Sequence, residues 1–187
     1  PDYSAMAGLG KFNSSDLRKQ LTVKMASVSP FIGNYSNGFY ASASPKDLET
    51  MLQLLYLSFT SPRFDESDFN VLMDKLQSAY QNMASNPMFQ LQDTLTSTLY
   101  NHSPRREMLT YDNLSQIDFA KMQQIYDKLY RNADDFTYTI VGNVDLETLK
   151  PLVEKYIGSL PSTKQGYSWE DDGERYPQGK VPHAYST

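Results

Sequence analysis

The chain has 187 residues, a length typical of one domain or of one domain with a tail. Hydrophobic residues make up 40% of the sequence, so a sizeable core can form without disulfides or a structural metal. Its 17 basic and 22 acidic residues give a net charge of −5, which argues against nucleic-acid binding. No apolar run approaches the roughly 18 residues of a transmembrane helix. The sequence has no Cys and only two His, which excludes thiolate nucleophiles, disulfides, iron–sulfur clusters and Cys-based zinc sites.

A β-hairpin is predicted after a short helix that begins at Asn13 or Ser14. Its strands are Ala26–Ile32 and Gly38–Ser44, where the helical period is lost and apolar residues alternate with polar ones in the second strand. Asn and Gly between the strands tolerate the positive φ angles of a hairpin turn. Pro30 lacks an N–H, so we expect an edge or a bulge in the first strand. Such an edge can accept an extended peptide by β-augmentation, although this property is common to many folds.

A buried helix is predicted from Ser44-Pro45 to Ser61-Pro62. Ser44 is the expected N-cap, Pro45 occupies the first turn, and Asp47 completes a near capping box. The helix is apolar around most of its circumference, which indicates burial on more than one face. Its main stripe recurs at helical spacing and consists of Leu48, Met51, Leu52, Leu55 and Phe59.

Three more helices are predicted in mid-chain, from Asp65, from Asn86-Pro87, and over Asp118–Tyr130. The second of them carries an apolar stripe of Met88, Leu91, Leu95 and Leu99. Methionines recur in the mid-chain helices, and we interpret them as core filler in preference to an adaptable binding groove. They are Met51, Met73, Met83, Met88 and Met122.

The end of the chain predicts a strand, a helix and a linker. Asp135–Gly142 alternates apolar and polar residues, and Asp145 caps a closing helix that contains Pro151. From residue 162 to residue 187 the sequence is rich in Gly, Pro and acidic residues, as expected of a linker. Because helices cluster in mid-chain and do not alternate with strands, we predict an α+β fold, with an antiparallel or mixed sheet packed against helices on one face.

No self-contained catalytic or metal site is predicted. His102 and His183 lie far apart and have no His or Glu partner at helical spacing, whereas zinc needs three or four ligands. A serine hydrolase is disfavoured because no strand–Gly-x-Ser-x-Gly–helix pattern occurs. Gly8–Lys11 lacks the preceding apolar strand of a phosphate-binding loop, so we interpret it as a flexible entry loop.

Pairs of like charges offer weaker candidates. Asp134-Asp135 is predicted on a strand, where adjacent side chains point to opposite faces, and Asp171-Asp172 in a solvated linker, so neither pair suits acid–base catalysis. Arg105-Arg106 can clamp a carboxylate or a peptide C-terminus, but a charged surface loop is the favoured interpretation.

One stretch resembles a known family. Asn132–Pro161 contains Phe136-Thr137-Tyr138-Thr139-Ile140-Val141-Gly142-Asn143-Val144-Asp145 and ends on Tyr156-Ile157-Gly158-Ser159-Leu160-Pro161. It is similar to the strand, turn and closing helix of subdomains in pitrilysin/insulinase-type zinc peptidases. Gly8–Phe12 and Ser44–Arg63 also resemble such a subdomain, particularly of large bacterial members with four subdomains in one chain. The resemblance covers Gly8–Pro161 and implies a peptidase-type α+β subdomain at residues 1–161, followed by the linker at 162–187.

Catalytic halves of that family carry the inverted motif H-x-x-E-H, which holds zinc and activates water. This sequence has no H-x-x-E-H. The resemblance therefore implies a non-catalytic portion of a zinc metalloendopeptidase, inactive alone and without a cofactor of its own, with zinc held by the catalytic half of the parent protein. It would form part of a chamber for peptide or unfolded-protein substrates, beside the other subdomains of the same polypeptide. No substrate-binding residue can be carried over, because no position matches the relevant motif.

Two alternatives remain open. The chain can belong to a structural subunit that kept the fold and lost peptidase activity, or it can be a stand-alone peptide-binding module. The bacterial character of the resemblance implies a periplasmic or cell-envelope location, while a cytoplasmic one is not excluded.

Overall fold

The computed structural model describes residues 2–163, 168, 170, 171 and 173–182. His183, Asp172 and several other residues of the predicted linker lie outside the described residues. Those that are described form two compact units. Unit 1 combines residues up to 69 with residues 119–163, and unit 2 combines residues 70–118 with the described residues from 168 onward.

The α+β class is confirmed, because helices accompany a two-stranded antiparallel sheet in the described part of the chain. Short 3₁₀ turns cover Pro45–Asp47 and Ala133–Asp135. The strands are β1 (Ala26–Ile32) and β2 (Asn37–Ala43). The helices are α1 (Asp2–Met6), α2 (Ser14–Leu21), α3 (Leu48–Thr60), α4 (Glu66–Met83), α5 (Pro87–Leu99), α6 (Tyr111–Leu114), α7 (Phe119–Tyr130) and α8 (Leu146–Tyr156).

The hairpin register decides which backbone N–H and C=O groups of β2 bond to β1 and which point away from it. Ala26 lies opposite Ala43, and the Gly33 N–H donates to the Ser36 carbonyl at 2.7 Å beside the turn. At the other end the Ser44 N–H donates to the Met25 carbonyl at 2.8 Å. Hydrogen-bonded and non-hydrogen-bonded pairs alternate in an antiparallel ladder, so these two bonds set the phase for the whole hairpin. The backbone groups that point away from β1 are those of Asn37, Phe39, Ala41 and Ala43.

The same phase explains Pro30. It lies opposite Phe39 in a non-hydrogen-bonded pair, so its missing N–H removes no bond between β1 and β2. The proline instead removes a donor from the outer edge of β1. The predicted edge strand at Pro30 is therefore present, but that edge is a poorer acceptor for an added strand than the outer edge of β2.

Helix α3 is the centre of unit 1. Near its N-terminus Leu48, Met51 and Leu52 pack against the sheet and α8, and near its C-terminus Phe59 is fully buried. The Phe59 ring lies 5.1 Å from that of Phe39 and 5.0 Å from that of Phe136, measured between ring centroids. The helix therefore contacts the sheet, α8 and the segment after α7, as its apolar circumference predicts.

Two buried tyrosines attach α7 to the rest of unit 1. The Tyr126 hydroxyl donates to the Ser58 carbonyl at 2.8 Å, and the Tyr130 hydroxyl donates to the Phe31 carbonyl at 2.7 Å. Burial raises the pKa of both hydroxyls, that of Tyr130 to about 12. Both side chains stay neutral donors at physiological pH, so each satisfies a carbonyl of α3 or β1.

Asp47 joins the start of β1 to the start of α3. Its Oδ2 accepts the Met25 N–H at 3.0 Å and the Ser44 hydroxyl at 2.8 Å, and Lys24 Nζ lies 3.4 Å from Oδ1. The predicted capping box is therefore wrong, because the carboxylate bonds to the preceding strand and to the Ser44 side chain. The Met25 N–H, then the Ser44 hydroxyl and Lys24, hold the pKa of Asp47 below its usual value of 3.8.

The predicted strand at Asp135–Gly142 is wrong. Ala133–Asp135 forms a 3₁₀ turn, Phe136 after it is extended, and residues 136–141 belong to no strand in the described part of the chain. The predicted alternation survives, since Phe136 and Tyr138 pack towards Phe59. Periodicity reports which side chains are buried, whereas a strand also needs a neighbour to bond its backbone.

The apolar stripe of α5 is exposed within unit 2. Met88 is 70% exposed, and Leu91, Leu95 and Leu99 are each more than 40% exposed. The core-filler interpretation is right for Met51, which is 8% exposed, and wrong for Met88. The helical spacing of its apolar residues predicted this stripe correctly. Among the described residues, no other element of unit 2 covers it.

We expect Phe59→Ala to destabilise unit 1 by about 3–5 kcal/mol, because the cavity left by the ring adds to the lost apolar transfer energy. Urea unfolding of the isolated chain, followed by far-UV circular dichroism, measures the change. Val141→Ala is the control, since Val141 is 92% exposed. Equal midpoints for the two variants would contradict the central role of α3.

Asp47→Asn is expected to destabilise the chain at neutral pH, with a gap from the wild type that closes in acid. The folded-state pKa of Asp47 is depressed, so its contribution is present above the unfolded-state pKa and is lost as pH falls through the folded value. Denaturation midpoints between pH 7 and pH 2, about two units below the ordinary aspartate pKa, measure this gap. Exposed Asp74→Asn is the control for loss of a carboxylate, and it should leave the midpoint at pH 7 close to that of the wild type.

Candidate functional site

A cavity of about 420 Å³ lies in unit 1 between β2 and residues 135–144. Along one side run Phe39, Ala41 and Ala43 of β2. The opposite side is the irregular segment that follows the Ala133–Asp135 turn. The floor is apolar and is formed by Leu48, Met51, Leu52, Leu55 and Ile157.

The β2 side of the cavity presents unpaired backbone. The N–H and C=O groups that point into it belong to alternate residues, as the hairpin phase requires. Ala41 lies on the same face of the sheet as Phe39, which contacts α3, and yet Ala41 is exposed. The space beside Ala41 is therefore open to solvent.

The opposite side presents unpaired backbone as well. Residues 137–144 make no backbone–backbone hydrogen bond with any described residue. Their conformation is maintained by side chains, since Phe136 and Tyr138 pack on the aromatic cluster around Phe59, with Tyr138 and Phe59 centroids 6.5 Å apart. Desolvation raises the pKa of Tyr138 to about 12, which agrees with its half-buried position. Two backbone segments without partners among the described residues thus border one apolar-floored space.

Asp135 stands at the entrance to this segment and lines the cavity. Its Oδ1 is buried and has no hydrogen-bond partner among the described residues. The neighbouring Asp134 is exposed and accepts a hydrogen bond from the Ser162 hydroxyl. The two carboxylates are not brought together for acid–base chemistry, and the buried oxygen is an acceptor that lacks a donor.

The residues present do not fit a zinc ion. Within the described ranges, no three His, Cys, Asp or Glu side chains cluster as a metal site requires. His102 is exposed, and its Nδ1 lies 2.6 Å from the Ser97 hydroxyl. The other histidine, His183, lies outside the described residues.

The remaining charged candidates are engaged in local contacts. In unit 2, Arg106 Nε lies 2.8 Å from Glu174 Oε1, and its guanidinium lies 4.5 Å from the centre of the Tyr100 ring. The Arg106 side chain is only 15% exposed, whereas a charged surface loop predicts an exposed one. Its contacts with Glu174 and Tyr100 stabilise unit 2. Asp171 pairs with Arg175, which lowers the pKa of that carboxyl.

The glycine-rich entry segment forms a turn with defined contacts. The Gly10 N–H donates to the Ser61 carbonyl at 2.8 Å, and Gly10 has a φ of +57°, a conformation that favours glycine. A Cβ on Gly8 would lie 2.1 Å from the Phe12 carbonyl oxygen, so a larger residue does not fit there. These two glycines therefore allow the chain to pack closely beside α3. From the sequence alone, the same segment is interpreted as a flexible entry loop.

Within the described residues, no helix combines the length and apolarity that a membrane span requires.

Comparison with known proteins agrees with this fold. Residues 6–113 match the family model Insulinase (Peptidase family M16), and residues 116–187 match the model of the Peptidase M16 inactive domain. The chain belongs to the insulinase family of peptidases, the pitrilysin/insulinase type that the Asn132–Pro161 pattern indicated.

Individual relatives are longer than this chain. It is 27% identical over 120 residues to a zinc protease PQQL-like protein of Arabidopsis thaliana, which covers 64% of the chain and 13% of that relative. It is 24% identical over 163 residues to the probable zinc protease PqqL of Haemophilus influenzae, with coverages of 84% and 17%. The crystal structure of the periplasmic protease PqqL from Escherichia coli aligns with a TM-score of 0.73 at 21% identity, over 88% of this chain and 18% of that one. The chain thus spans about a sixth of these proteins.

We expect Asp135→Asn to stabilise the isolated chain at pH 7 by about 1 kcal/mol, because it removes the charge from a buried oxygen without a donor. Chemical denaturation of the isolated chain measures the difference. Asp134→Asn is the matched control, and it should bring no gain because that carboxylate is exposed and already bonded to Ser162. A loss of stability in Asp135→Asn would show that Oδ1 is satisfied in solution.

Proposed function

We propose that this chain is a non-catalytic portion of a zinc-dependent metalloendopeptidase. The observation that carries the proposal is the match to both family models, one of them for the inactive domain, in a sequence without H-x-x-E-H. The zinc ion and the water that it activates would belong to another part of the parent polypeptide, because the sequence has no H-x-x-E-H and the described residues hold no cluster of metal ligands. No step of the reaction is assigned to residues of this chain.

Its contribution would be to form part of the substrate chamber and to assist the binding of peptides or unfolded proteins. The partners are then the remaining subdomains of the same polypeptide, which agrees with the fraction of each relative that the chain spans. A periplasmic or cell-envelope location is part of the proposal and is supported by the description of the Escherichia coli protein as periplasmic.

The direct test is made on the longer polypeptide that contains this chain. We expect it to encode H-x-x-E-H, to purify with one zinc ion and to cleave unfolded peptides, while the isolated chain binds no stoichiometric zinc and cleaves nothing. Metal analysis and a fluorogenic peptide assay measure these properties. A parent with neither zinc nor cleavage would instead indicate an inactive structural subunit.

The chamber role has its own measurement. A substrate peptide that carries a photo-reactive benzoylphenylalanine should crosslink to residues of this chain within the longer polypeptide, and an excess of unlabelled peptide should abolish the crosslinks. Crosslinks confined to other subdomains would exclude a substrate-contacting role. Peptide binding by the isolated chain alone would favour a stand-alone binding module.

A further inference from the structure

The dipeptide Asn37-Gly38 lies at the start of strand β2, after the hairpin turn at residues 33–36. Glycine weakens the interior of a strand unless another group needs the space beside its backbone. That need is present here, because a Cβ at residue 38 would lie 2.8 Å from Cε1 of Phe31. The Phe31 ring stacks on Tyr40 with centroids 4.5 Å apart, so it cannot move aside without losing this contact. Packing across the hairpin therefore requires a glycine directly after an asparagine.

An asparagine that precedes a glycine can lose its side-chain amide in an intramolecular reaction. The Gly38 nitrogen attacks Cγ of Asn37, and no side chain at residue 38 hinders the approach. A bond forms between this nitrogen and Cγ, the Cγ–Nδ2 bond breaks, and ammonia leaves with the proton of the backbone amide. Water then opens the ring, at Cγ to give aspartate or at the backbone carbonyl of residue 37 to give isoaspartate.

We propose that Asn37-Gly38 is a deamidation site that the folded hairpin keeps closed and that opening of the hairpin exposes. The only co-reactant is water. The site goes beyond the proposed function and depends neither on zinc nor on peptide cleavage. Two groups of contacts hold the reacting atoms apart in the folded chain.

The first constraint is the backbone of β2. Ring closure requires rotation about ψ of Asn37, away from the extended conformation of a strand. The hairpin phase opposes this rotation because Gly38 and Phe31 form a hydrogen-bonded pair. The attacking nitrogen therefore donates its proton to the Phe31 carbonyl, which also accepts the Tyr130 hydroxyl at 2.7 Å.

The second constraint holds the side chain that would react. Asn37 Nδ2 donates to the Leu129 carbonyl at 3.0 Å, a contact that joins β2 to the end of α7. The amide must leave this carbonyl before Cγ can turn towards Gly38. The two residues are 92 positions apart in sequence, so the contact exists only while α7 is packed on the hairpin.

Deamidation at residue 37 would also weaken the closed hairpin. An ionised aspartate has no proton to donate, so the bond to Leu129 would be replaced by a negative charge beside a carbonyl oxygen. Isoaspartate lengthens the backbone before Gly38 and displaces the pairing of β2 with β1. Both products make closure of the hairpin less favourable, so the reaction converts a transient opening into a lasting one.

Peptide mapping by mass spectrometry tests the proposal on the 187-residue chain. The chain is incubated at pH 7 in native buffer and, in parallel, in urea above its unfolding midpoint, and the mass gain from replacement of NH₂ by OH is followed at each asparagine. We expect residue 37 to convert at least about tenfold more slowly in native buffer, because the reaction then proceeds only from the open fraction. Equal rates in the two solutions would overturn the proposal.

Asn34 is the internal control for the role of glycine. It is exposed in the turn of the same hairpin, but the side chain of Tyr35 hinders attack by the backbone nitrogen that follows it. We expect residue 34 to convert much more slowly than residue 37 in urea. Comparable conversion at both positions would show that Gly38 does not direct the reaction, which also contradicts the proposal.

Asn37→Asp tests the consequence of the reaction by supplying one product directly. We expect its urea midpoint at pH 7 to fall below that of the wild type, and its Gly38 amide to exchange with solvent at least about tenfold faster. Asn70→Asp makes the same chemical change at an exposed position of α4 and should leave both quantities close to those of the wild type. An unchanged midpoint and exchange rate in Asn37→Asp would contradict a lasting opening of the hairpin.

Discussion

Helix α3 must be covered on several sides, and most of unit 1 is arranged to cover it. Leu52 and Phe59 are at most 1% exposed, and they are reached from the hairpin, from α8 and from the segment after α7. Burial of large apolar side chains is the dominant favourable term in folding, so the elements with the most apolar surface collect around this helix. The tyrosines of α7 complete the arrangement by donating hydrogen bonds to a carbonyl of α3 and a carbonyl of β1.

This cover is incomplete in one place. Between β2 and residues 135–144 the apolar floor of α3 is bordered by backbone groups without partners among the described residues, which also hold no donor for the buried Oδ1 of Asp135. Side-chain packing orders both edges, because Phe39 and Phe136 contact each other and Phe59. The molecule therefore has an apolar-floored cavity beside α3 that the described residues leave open.

The order of elements was largely predictable from the chain, and the misses have physical causes. The hairpin, α3, α7 and α8 were predicted because their apolar residues recur at the period of a strand or a helix. Residues 136–141 keep the predicted alternation but form no strand, because a strand needs a partner that periodicity does not report. Asp47 has the residue type and position of a capping residue, yet Met25 and Lys24, which lie just before β1, bind its carboxylate, and sequence spacing does not place them nearby.

The sequence by itself determined which chemistry this chain lacks and to which family it belongs. Two histidines, no cysteine and no H-x-x-E-H are properties of composition and order that no fold can change. Tertiary structure alone decided the phase of the hairpin, and so which groups of β2 face outward and why Pro30 is harmless there. It also decided that Oδ1 of Asp135 is buried while Asp134 is exposed. Hydrogen-bond phase and burial depend on which elements come together in space, whereas local periodicity depends only on neighbours along the chain.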